Sequence, residues 1–158
     1  MKAVSVATIK KELQHLPSEE LTELCLRLSK FKKENKELLT YLLFESHDET
    51  GYIETVKQEV DEQFELININ SYFYIKKSVR KILRSIKKFA RYSLKKETEV
   101  ELLLYFCQKL IHFKPSIKHN VTLTNIYERQ ILLIKKIVST LHEDLQYDYK
   151  QMLDELND

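Results

Sequence analysis

Glu12 and His15 stand three residues apart in Glu12-Leu13-Gln14-His15, the spacing that puts a carboxylate and an imidazole on one helix face. A di-iron bundle centre needs that pair twice, on different helices, and His47, His112, His119 and His142 have no glutamate three residues before them. Cysteine or histidine pairs with zinc spacing are also missing, so no metal or other cofactor is expected. Cys25 and Cys107 sit in leucine-rich runs, where a cysteine behaves as a small hydrophobe, and both are expected as reduced, buried thiols. Two acidic clusters, Glu59, Asp61 and Glu62, then Glu97, Glu99 and Glu101, would do acid–base work only if burial split their pKa values. They are expected as helix-start acids and solvated faces. A single glycine excludes both phosphate-cradling loops and the dinucleotide fingerprint. With no nucleophile, base and orienting group in sight, the sequence reads as non-enzymatic.

The chemistry that does stand out is cationic. Tyr72 to Lys96, YFYIKKSVRKILRSIKKFARYSLKK, holds the longest helical pattern of the chain. At about 100° per residue, Ile75, Val79, Ile82, Leu83, Ile86, Phe89 and Ala90 fall within one arc of roughly 120°, a core-facing stripe. Lys76, Lys77, Arg80, Lys81, Arg84, Lys87, Lys88, Arg91 and Lys95 share an arc of roughly 140° on the other side. Residues 66–96 carry ten bases and no acid, whereas residues 1–65 carry nine and fourteen, and residues 97–158 seven and ten. The net +2 of the whole chain therefore hides a basic helix inside an otherwise acidic protein. Three roles compete for that face. Acidic neighbours from 54–65 or 97–101 could neutralise it, leaving a solvated face. It could hold a nucleic-acid backbone, with Tyr72, Tyr74 and Tyr92 stacking on bases. It could meet an acidic protein or a lipid surface, although a stripe needed for the core is poorly free to insert into lipid.

Helix-period patterns cover most of the remaining sequence. Ser5 to His15 reads as a short helix on Val6, Ile9 and Leu13. Leu16-Pro17-Ser18-Glu19-Glu20 is a helix start, and Leu21, Leu24, Cys25, Leu28 and Phe31 form the stripe that follows. A third helix is expected over 35–45. After the break at Ser46 to Gly51, a fourth runs over 51–67 on Ile53, Val56, Val60, Phe64 and Ile67. Asn68, Asn70 and Ser71 are expected to break it and to cap the basic helix. Glu97 to Phe113 is apolar nearly all round and should lie centrally. Lys114-Pro115-Ser116 ends it. Helices over 122–141 and 143–156 complete the chain, the last two separate or continuous.

Composition agrees. At 158 residues, 43% hydrophobic and 32% charged, the chain can bury a real core, and so little glycine and proline favours helices joined by short polar turns. The expected fold is all-α: a compact bundle or short α-α superhelix of seven to eight antiparallel helices. It is read as one domain over 1–158, with a possible division into a helical hairpin at 1–47 and a bundle at 50–158. No run has the length of a membrane span and the start turns charged too soon for a signal peptide, so a cytoplasmic location is expected.

Over most of its length the text, with IKKELQHLPSEELTELCLRLSKFKKENKELLTYLLF near the start and KKFARYSLKKETEVELLLYFCQKL later, resembles small all-α proteins of bacteria that have no assigned activity. It also resembles HEAT-type helical repeats, scaffolds with concave binding faces, although no fixed period is present. The first resemblance implies an all-α fold and carries over no functional residue. Together these readings point to an interaction or scaffold protein whose partner is another protein or a second copy, with nucleic-acid binding through the 76–95 face, to RNA or DNA, as the alternative.

Overall fold

In the computed structural model, which describes residues 1–156, helix accounts for 79% of the chain. Among the described residues there are eight α-helices and no strand. The chain divides into two units, Met1–Phe44 and Glu45 onward.

In the amino-terminal unit, α1 spans Val6–Leu13 and starts at Ser5, whose hydroxyl accepts from the Thr8 amide at 3.2 Å. α2 spans Ser18–Phe31 behind Pro17, with Glu19 and Glu20 in its first turn and Lys30 in its last, so its charges follow the helix dipole. Lys32 is extended and lets the chain turn into α3, Lys33–Thr40, which packs on α2. Asn35 Nδ2 donates to the Leu28 carbonyl at 2.8 Å and ties the two helices together. A π-helical turn, Tyr41–Glu45, takes the place of the last turns of the helix expected over 35–45. Among the described residues of this unit, Tyr41 alone is buried.

The second unit contains the core. Its helices are α4 (Glu49–Glu65), α5 (Tyr72–Ser93), α6 (Lys96–Ile111), α7 (Val121–Val138) and α8 (Glu143–Glu155), with a short 3₁₀ turn at Ile117–His119. α6 packs against α4, α5 and α7, α4 also packs on α5, and α8 packs on α7. This central position explains why α6 is apolar nearly all round: Val100, Leu102, Leu103, Leu104, Phe106, Cys107 and Leu110 are all at most 4% exposed. On α5 the expected stripe is buried at Ile75, Val79, Ile82, Ile86 and Ala90, while Leu83 and Phe89 at its edges are half-buried. Residues 139–142 separate α7 from α8, and His142 caps α8 by accepting from the Asp144 amide.

Three local details stand out. Gly51, expected at the edge of the break, is inside α4. It lies in the first turn of α4 without a positive φ, beside the N-cap Asp48, whose carboxylate accepts from the Gly51 amide at 3.0 Å. A Cβ there would press on the Asp48 carboxyl group, so a larger residue would make the cap side chain shift. The left-handed residue is Leu94 (φ 59°), which ends α5 with its side chain 85% exposed. Ser71 is the N-cap of α5 by position, yet its hydroxyl makes no capping bond.

Polar ties fix α5 within this unit. Tyr52 of α4 donates to the Phe89 carbonyl at 2.9 Å. Glu49, in the first turn of α4, accepts from Ser93 Oγ at the end of α5, from Thr98 Oγ1 of α6 at 2.6 Å, and from Lys95 Nζ at 3.3 Å. One carboxylate thus gathers the start of α4, the end of α5 and the start of α6.

Candidate nucleic-acid interface

The buried stripe of α5 turns its opposite face outward. Lys77, Arg80, Lys81, Arg84, Lys87, Arg91 and Lys95 are exposed, and Lys76 and Lys88 are half-buried. Their surroundings separate them. Lys95 pairs with Glu49 at 3.3 Å, and Lys88 Nζ sits 4.7 Å from the centroid of the Phe89 ring. Among the described residues, the other seven have no carboxylate within 4 Å.

Three of the acids expected to neutralise this face, Glu54, Asp61 and Glu101, are engaged on the α4–α6 side. Lys57 draws Glu54 to 2.8 Å and Glu101 to 3.9 Å. Asp61 takes Lys109 at 2.9 Å and the Tyr105 hydroxyl at 2.6 and 2.7 Å. Helix phase explains this, since these acids lie on the sides of α4 and α6 that meet each other. Among the described residues, none of the seven cations makes a direct ion pair with an acid of 54–65 or 97–101. From Lys76 to Arg91 the row extends about 22 Å along the helix axis.

Aromatic placement differs from expectation as well. Tyr72 is half-buried and donates to the Ser116 carbonyl at 2.9 Å, and Tyr92 is half-buried with its ring edge-on to Phe89 at 6.0 Å, so both serve packing. Tyr74 is 46% exposed and stands edge-on to Phe73 at 5.5 Å. Phe73, 67% exposed, is the residue that sequence reasoning missed. Its helical phase holds the signal, because Phe73, Lys77, Arg80 and Arg84 recur at i, i+4, i+7 and i+11 and so share one face. Two exposed rings therefore adjoin the first turn of a cationic row.

Elsewhere, Cys107 is inert and Asp61, Tyr105 and Lys109 are occupied with one another. Burial pushes the Cys107 thiol up to about 12, which removes it as a nucleophile. Cys25 is exposed, not buried as expected, because α2 has no core of its own to enter. Tyr105 and Lys109 border a cleft of about 620 Å³ together with Phe64, His112 and Glu155. Burial, reinforced by the Asp61 carboxylate, lifts Tyr105 to about 12, so it stays a protonated donor. For Asp61, burial acts upward, but the hydrogen bonds from Tyr105 and Lys109 and the Lys109 charge outweigh it and hold the carboxyl below its ordinary range. This trio ties α4 to α6 and offers no poised acid or base. Among the described residues, no group of three His, Cys, Asp or Glu side chains is placed to hold a metal ion, and no helix is long and apolar enough to cross a membrane. Comparison with protein-family models, curated proteins and solved structures found no match.

Proposed function

We propose that this protein is a non-enzymatic interaction protein that binds nucleic acid through the basic face of α5. The observation that carries the reading is the row of seven cations, Lys76, Lys77, Arg80, Lys81, Arg84, Lys87 and Arg91, without a carboxylate partner among the described residues. Unpaired cations on a rigid rod gain most from a regularly spaced polyanion, because each phosphate they neutralise releases a condensed counterion. The exposed rings of Phe73 and Tyr74 beside that row suit the unstacked bases of a single strand, since stacking on an aromatic ring tolerates any base. A lipid surface is the poorer ligand: insertion would need the apolar stripe, and Ile75, Val79, Ile82 and Ile86 are at most 2% exposed in the core.

The test is binding of labelled single-stranded RNA, single-stranded DNA and duplex DNA across a salt series. If all seven cations met phosphates of a duplex, log K would fall with log salt at a slope near −6, and fewer contacts would give a shallower slope. A still-folded variant with Arg80, Arg84, Lys87 and Arg91 changed to Glu is expected to lose binding. Binding of an acidic protein in place of nucleic acid would move the assignment to a protein partner.

A further inference from the structure

Among its described residues, the amino-terminal unit carries several exposed apolar side chains. Val6, Ile9, Leu24, Leu28, Phe31 and Leu42 are 82%, 45%, 39%, 60%, 76% and 53% exposed. Exposed apolar side chains at helical spacing on α2, Leu24, Leu28 and Phe31, mark an interaction surface rather than the scattered single residues usual on a monomer. An apolar stripe at helical period on α2 has no energetic reason to face water. Units of this size rarely fold on their own core, and oligomerisation, a disulfide or a metal usually supplies the rest. Both cysteines are free, and the described residues hold no metal-binding group.

Charge selects the partner. The first half of α2 carries Glu19, Glu20 and Glu23 and no base; residues 25–33 carry Arg27, Lys30, Lys32 and Lys33 and no acid. Such a helix is complementary to itself when reversed, since an antiparallel copy sets each acidic half against a basic one across the apolar stripe. A two-fold axis is the arrangement that does this with identical chains. We propose that α1 to α3 pair with the same segment of a second copy of this chain, with α2 antiparallel to α2 across a two-fold axis near its midpoint. That axis brings Cys25, at the middle of α2 and exposed, close to Cys25 of the second copy.

Sedimentation of the full chain, with Cys107→Ser to leave one thiol, is expected to give a dimer. A short bis-maleimide is expected to link it through Cys25, and a Cys25→Ser control to stay unlinked. Reversing Glu19, Glu20 and Glu23 to Lys is expected to give monomers, and adding Arg27→Glu, Lys30→Glu, Lys32→Glu and Lys33→Glu to restore the dimer. Far-UV circular dichroism shows in each case that the helices persist, so loss of the dimer cannot be mistaken for unfolding. A monomer at protomer concentrations up to about 100 μM, or a dimer indifferent to the reversal and unlinked through Cys25, overturns the proposal. The result is independent of whether α5 binds nucleic acid.

Discussion

Replacing Glu49 with alanine should loosen the second unit more than removing any exposed charge. Its carboxylate is 17% exposed and accepts from the hydroxyls of Ser93 and Thr98 and from Lys95. Thr98 is 2% exposed, so without Glu49 its hydroxyl is buried with that acceptor gone. Hydrogen bonds to a charged group contribute about 1.5–3 kcal/mol each, whereas a pair to a half-exposed lysine contributes about 0–1 kcal/mol. Two hydroxyl bonds and a weak ion pair therefore give an expected loss of about 3–7 kcal/mol for Glu49→Ala. Ser93 and Thr98 both donate to Oε1 of Glu49, so in Glu49→Gln the amide oxygen can receive both hydroxyls and the cost should be well below that of Glu49→Ala. Lys95→Ala should cost less than about 1 kcal/mol. Urea unfolding followed by far-UV circular dichroism reads these differences as midpoint shifts of about 1.5–3.5 M for Glu49→Ala, for a slope of about 2 kcal/mol per molar. Loss from Lys95→Ala equal to that from Glu49→Ala would show that the exposed ion pair holds this junction, and would refute the hydroxyl account.

Four further outcomes follow from the same structure. Phe106→Ala, at 0% exposure at the centre of α6, should cost about 3–5 kcal/mol in the same unfolding assay. Leu94→Gly should raise stability by about 0.5–1 kcal/mol, because Leu94 is left-handed with an exposed side chain, and glycine adopts that conformation freely. Tyr105 and Tyr149 are both raised to about 12 from an ordinary 10.0, chiefly by burial, so the unfolded chain ionises them first. Stability should be intact on their account below pH 10 and fall between about pH 10 and 12; Tyr105→Phe or Tyr149→Phe should reduce that fall in thermal melts across pH. On the acid side Asp61, lowered when folded, stabilises the protein above pH 3.8 and loses that contribution as pH drops towards its folded value, so Asp61→Asn should flatten the acid limb of the profile.

What was legible in the sequence was the direction of each helix face; what covers a face was not. On α5, Ile75, Val79, Ile82 and Ile86 have helical period and are buried. On α2, Leu24, Cys25, Leu28 and Phe31 have the same period and are exposed. Period records that a face seeks apolar company, while only the path of the chain decides whether company is there. The same limit governs charge. The basic arc from Lys76 to Lys95 was readable from spacing alone. That Asp61 would turn to Tyr105 and Lys109, and Glu49 to Lys95, depends on contacts about 45 residues apart along the chain, which no local pattern encodes. Phe73 was hidden differently: its phase placed it among the cations, but an aromatic residue at a helix start reads equally well as core. The positive φ at Leu94 had no signal, since leucine is neither glycine nor asparagine.

The most direct test of the proposed function is the salt dependence of single-stranded RNA binding, measured side by side for the native chain and for the variant with Arg80, Arg84, Lys87 and Arg91 changed to Glu. Binding that weakens steeply as salt rises from 50 to 200 mM, and that is lost in the folded variant, is the result the account predicts. No binding at low salt, or binding that the four reversals leave unchanged, would contradict it and leave the basic face of α5 without a nucleic-acid role.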